Sequence, residues 1–75
     1  MNVHRTEIGR IEESMTPVIF SDGETVGDLL RKANISLGSD EAVITLNGET
    51  VEQNELASEN VRSYVVTKNY KNGFN

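Results

Sequence analysis

Apolar residues recur along this chain at two spacings, and the switch between them marks out the elements. "VHRTEIGRI" (3–11) alternates imperfectly around Val3, Ile8 and Ile11, which predicts a strand with a bulge or bend at Gly9. "EESM" reads as a turn, and "TPVIF" (16–20) as a short strand whose Pro17 belongs at its start or on an edge, having no N–H to give a neighbour. "SDG" (21–23) closes that run with turn residues. The period then changes. Val26, Leu29, Leu30 and Ala33 fall at i, i+3, i+4 and i+7, one face of a helix of two to three turns.

The helix carries its own start and stop signals. Thr25 is placed to cap its first turn, with Asp28 three residues on in a capping-box position. Arg31 and Lys32 suit the negative end of the helix dipole, and Asn34 can end the helix in a left-handed turn. Gly27 in the first turn costs up to about 1 kcal/mol against alanine. A helix this short cannot persist alone in water and needs a sheet to lie on.

Period two returns afterwards. "NISLGSDE" (34–41) is a loop with Ile35 and Leu37 as candidates for burial. "AVITL" (42–46) is a strand with Ala42, Ile44 and Leu46 on one face and Val43 and Thr45 on the other. Asn47-Gly48 is the strongest turn signal, because that pair readily takes the positive φ angles of a tight hairpin. "TV" continues the hairpin briefly, "EQNEL" (52–56) reads as a loop or single helical turn, and "VRSYVVTKNY" (61–70) as the last strand. The order strand, strand, helix, strand, short connection, strand predicts an α+β domain with one helix across a mixed, four-stranded sheet. Residues 1–75 form a single domain in this reading, with 71–75 as a flexible tail.

Composition narrows the function classes. Seventy-five residues lie near the lower limit for a self-sufficient core, and 36% are apolar, so nearly every large aliphatic is expected inside. Without cysteine there is no disulfide and no thiolate metal site, and the single His4 cannot form a zinc site alone. A net charge of −5 and seven scattered basic residues argue against a nucleic-acid ligand. No apolar run is long enough for a membrane span, and "MNVHRTEIGR" has no signal-peptide apolar region, so the expected location is cytoplasmic.

Candidate chemistry is sparse. Glu12, Glu13, Asp22 and Glu24 cluster near turns and read as solvated turn residues rather than an acid–base pair. Asp22, Asp40 and Glu41 lack the spacing of a calcium loop. His4 reads as an exposed strand residue, and no serine sits in a nucleophile-elbow frame. No catalytic residue, metal or cofactor is expected. In the last strand Tyr64, Val66 and Tyr70 share one parity, while Val61, Val65 and Thr67 share the other. Since one face alone can lie under the helix, Tyr64, Val66, Tyr70 and Phe74 form a candidate partner-binding patch, the alternative being that Tyr64 and Val66 are core.

"GETVGDLL" is similar to the Gly-x-Thr-Val-x-x-Leu-Leu helix start of the β-grasp, or ubiquitin-like, sulfur carriers of thiamine and molybdopterin synthesis. "AVITLNGETV" resembles their strand and Asn-Gly turn, and "NVRSYVVTKNYKNG" their last strand and glycine-ended tail. The resemblance runs from Gly23 to Gly73, about two-thirds of the chain. It implies a β-grasp fold and, in the carriers, a C-terminal Gly-Gly that a partner adenylating enzyme activates on the way to a thiocarboxylate. Here Asn72 stands at the penultimate glycine position, Phe74 and Asn75 follow Gly73, and "SENV" replaces the carriers' Gly-Asp turn. The preferred expectation is a non-enzymatic interaction module that binds a protein partner through its exposed sheet face and tail. A small acidic regulator from a phage or mobile element fits that description. The alternatives are a carrier or modifier acting through Gly73 after loss of two residues, and a homodimer or assembly subunit using an open strand edge.

Overall fold

The computed structural model describes residues 2–68. Five strands and one helix follow in the order β1 (Val3–Arg10), β2 (Thr16–Ser21), α1 (Val26–Lys32), β3 (Glu41–Thr45), β4 (Thr50–Val51) and β5 (Ser63–Lys68). They form one mixed sheet of spatial order β2-β1-β5-β3-β4 with α1 packed on one side. β1 runs antiparallel to β2 and parallel to β5, and β3 runs antiparallel to both β5 and β4. The α+β class expected from the sequence is therefore observed. The strand count is corrected from four to five, because Thr50 and Val51 return far enough past the Asn47-Gly48 turn to pair with Ile44 and Val43.

Local chemistry accounts for α1 residue by residue. The Thr25 hydroxyl accepts from the Asp28 N–H at 3.3 Å while the Asp28 carboxylate accepts from the Thr25 N–H at 2.9 Å, completing the capping box. The next free donors go to the segment before β5. Val26 N–H donates to the Glu55 carbonyl at 2.9 Å and Gly27 N–H to the Gln53 carbonyl at 2.8 Å. A Cβ on residue 27 would lie 3.2 Å from that Gln53 oxygen, so the glycine that weakens the helix also lets the segment close on it. At the other end Asn34 takes φ 63°, and Asn34 and Ile35 donate to the Arg31 and Leu30 carbonyls. This is the left-handed stop expected of asparagine at that position.

The core is set by one parity of each strand. Thr6 and Ile8 of β1, Val18 and Phe20 of β2, Val43 and Thr45 of β3 and Tyr64 and Val66 of β5 are buried beneath Val26, Leu29 and Leu30 of the helix. Register lines them up, with Ile8 opposite Tyr64, Tyr64 opposite Thr45 and Val66 opposite Val43. Ile35 and Leu37 pack against this cluster half-buried, as do Ala33, Val51, Ala57 and Val61. Buried polar groups are matched within it. The Thr6 hydroxyl donates to the Val61 and Arg62 carbonyls, and the Tyr64 hydroxyl accepts from the Ser58 N–H at 3.0 Å.

The expectation that nearly every large aliphatic is inside is overturned. Val3, Ile11, Ile19, Leu46 and Leu56 are all more than half exposed. One short helix covers one side of the sheet, and four of these five lie on the other side or at its margins, where the described residues build no second layer.

Candidate functional site

The open side of the sheet is built by the parity that does not face α1. Register places Arg5 beside Ile19 and Glu7 between Pro17 and Ser63. Gly9, Val65 and Ile44 follow one another across β1, β5 and β3, and Ala42 lies beside Thr67. Ile19 and Val3 are exposed, while Ile44, Val65, Thr67 and Ala42 are half-buried by one another. Gly9 has a specific task there. The turn after β1 folds back so closely that a Cβ at residue 9 would lie 2.9 Å from the Ser14 carbonyl oxygen and 3.1 Å from the Met15 sulfur. The sequence-expected bulge is thus a close approach: β1 stays regular through Gly9 while residues 14–15 lie over it.

At the end of this face where β5 begins, Arg5, Glu7, Pro17, Leu46, Arg62 and Ser63 line a shallow depression. Leu46 is 66% exposed, the most exposed of the large apolar residues among those described. The Glu7 carboxylate accepts from the Ser63 hydroxyl at 3.0 Å. Among the described residues, Arg10, Arg31, Lys32 and Lys68 each stand within salt-bridge distance of a carboxylate, whereas Arg5 and Arg62 do not.

Of the acidic candidates, Glu12 and Glu13 are exposed as expected, while Asp22, Glu24 and Glu41 act as structural ties. Glu41 takes two hydrogen bonds from the Arg10 guanidinium at 3.0 Å each and one from the Gly38 N–H at 2.8 Å. These hold its carboxyl at about 2, the Arg10 bond contributing most. Arg10 also reaches the Ser36 carbonyl at 2.7 Å, so this one pair fixes the loop between α1 and β3. Glu24 accepts from Lys32 and from the Ser21 N–H, and both lower its pKa, Lys32 more. Asp22 is lowered first by its hydrogen bond to His4 and then by one to Asn2. Each shifted carboxyl is shifted downward by hydrogen-bond donors that favour its ionised form, from Arg10 at Glu41, Lys32 at Glu24 and His4 at Asp22.

His4 departs from the exposed strand residue expected. Its side chain is 15% exposed, Nε2 lies 2.6 Å from Asp22, Nδ1 lies 3.2 Å from Glu59, and the ring is tilted against Phe20. The cause is parity: residue 4 shares the face of Thr6 and Ile8, at the margin of the core. Among the described residues no group of three His, Asp or Glu side chains is arranged to hold a metal ion, and no helix is long and apolar enough to cross a membrane.

The partner-binding patch expected from the sequence divides. Tyr64 and Val66 are each 1% exposed and lie under α1, so the core alternative holds for them and neither can present a surface. Tyr70 and Phe74, and Asn72 and Gly73 of the carrier tail, lie outside the described residues. The β5 parity turned away from α1 is that of Val65 and Thr67, both half-buried. Relative bulk was the available signal, since the larger Tyr64 fills more core and finds a donor for its hydroxyl. The strand edges offer little for pairing. β4 has two residues, and β2 carries Pro17 while its Ile19 carbonyl accepts from the Lys32 ammonium at 2.7 Å.

Compared with protein-family models, with curated proteins and with solved structures, the chain gives no match.

Proposed function

We propose that this protein is a β-grasp-type interaction module that binds a protein partner through the side of its sheet turned away from α1. The strand order β2-β1-β5-β3-β4, with β1 parallel to β5 and a helix crossing one side, supports the β-grasp reading. The observation that carries the functional reading is the exposure of Val3, Ile19 and Leu46 on that side, with Ile44 and Val65 half-buried between the strands, in a chain with few large aliphatics to spare. Leaving that many in contact with water forgoes burial worth about 1.5–3 kcal/mol for each side chain fully covered, a gain available on docking.

The test is affinity capture with the native chain and with a double variant, Ile19→Asp and Leu46→Asp, both at exposed positions. A partner retained by the native chain and by Arg31→Ala on the helix side, but lost from the double variant, supports the reading. Equal recovery of every partner by all three proteins contradicts it.

A further inference from the structure

We propose that the depression at the β5 end of the open face recognises an acidic segment of a partner protein, one in which carboxylates alternate with apolar side chains. The inference rests on the sheet-face reading above and names the chemistry of its occupant. Its basis is the distribution of charge. The chain carries −5 overall, and four of the six cations among the described residues are matched to carboxylates of the protein itself. The remaining two, Arg5 and Arg62, come from different parts of the chain and line the same depression. Two guanidiniums lining one depression, with no carboxylate at salt-bridge distance among the described residues, are suited to carboxylates, which they grip through paired N–H donors. Glu7 is the acidic residue of that depression, and Glu49 lines the adjoining one beyond Leu46 and Arg62. The bond from Ser63 occupies one Glu7 oxygen.

The backbone beneath is held in place beforehand. The Thr6 hydroxyl, buried beside Arg5, donates to the Val61 and Arg62 carbonyls at 3.1 and 2.9 Å, fixing the chain from which Arg62 projects against the strand that carries Arg5. Less conformational freedom is then lost when a ligand arrives. Pro17 and the exposed Leu46 flank the arginines and supply apolar contact between them. The acidic remainder of the surface repels the same segment, so the depression sets where and in what register it binds.

The test pans a random-sequence peptide display library against the full-length chain. Affinities of the recovered peptides are then measured for the native protein, Arg5→Glu, Arg62→Glu and the helix-side control Arg31→Glu, with thermal melts confirming that each is folded. Recovery of peptides rich in Asp or Glu and apolar residues, weakened roughly tenfold or more by either Arg5→Glu or Arg62→Glu and spared by Arg31→Glu, is the expected result. Neutral or basic peptides that are nonetheless lost on Ile19→Asp with Leu46→Asp would overturn the acidic occupant while leaving the sheet-face reading intact. Peptides indifferent to every substitution on this face, or no enriched peptide at all, would overturn both. Concentration-dependent self-association in sedimentation that disappears on Arg5→Glu would overturn it in favour of a second copy of the chain.

Discussion

Both sides of this sheet carry aliphatic residues, and they differ in how far those residues are covered. Beneath α1, Ile8, Phe20, Val43, Tyr64 and Val66 are all but inaccessible, and the polar groups among them find internal partners. On the other side Ile19, Ile44 and Val65 sit one position along the same strands, half covered or open, on the face that carries Arg5 and Arg62, which have no carboxylate at salt-bridge distance among the described residues. In a chain this small the helix can dry only one side, and the residues of the other parity are left to meet water or a partner. Apolar character alone therefore does not decide which residues are buried here. Parity does.

That contrast can be broken most severely from the dry side. Leu29→Ala removes a side chain with 0% exposure from the middle of the helix–sheet contact and should cost about 2–5 kcal/mol. Tyr64→Ala should cost at least as much, since it also strands the Ser58 N–H; denaturant unfolding of both variants measures it. A loss below about 1 kcal/mol would mean that this side is not the core. Gly9→Ala tests where the open side is covered by its own chain. The added methyl meets the Ser14 carbonyl, and a loss of about 1–3 kcal/mol is expected from the same measurement. Thr25→Ala removes one half of the capping box and should cost about 1 kcal/mol.

The Arg10–Glu41 tie gives a pH test. Glu41 has its carboxyl pulled from 4.5 to about 2 in the folded protein, so folding favours its ionised form. Its contribution is in force above about 4.5 and fades as the pH falls toward 2. Unfolding measured across that window should show a shallower acid loss for Glu41→Gln than for the native chain, with the native chain the more stable at neutral pH. Parallel curves would show that the tie contributes nothing. The smallest effect belongs to the open side. Leu46→Asp should leave stability within about 0.5 kcal/mol of the native chain, because the leucine is 66% exposed.

Much of this arrangement is legible in the sequence, for reasons that are local. Thr25, Asp28 and Asn34 carry the helix boundaries in their own side chains, and Asn47-Gly48 carries a hairpin, with Gly48 at φ 85°. What the sequence hides depends on segments that meet from afar. Nothing near Gly27 announces that residues 53 and 55 will accept its helix's free N–H groups, and nothing near Gly9 announces Met15 above it. The binding patch suffered from the same distance. Tyr64-Val65-Val66-Thr67 is apolar enough on both parities to serve either side, and pairing with Ile8 and Thr45 decides that Tyr64 goes inward. Arg5 and Arg62, separated by most of the chain, become neighbours only once β1 lies beside β5.

Hydroxyl-radical footprinting of the isolated chain, read residue by residue by mass spectrometry, tests the asymmetry of the sheet most directly. The account predicts rapid labelling of Ile19 and Leu46 and protection of Leu29 and, despite its reactive ring, Tyr64. Rapid labelling of Tyr64 together with protection of Ile19 and Leu46 would mean that the sides are exchanged, and the account would fail.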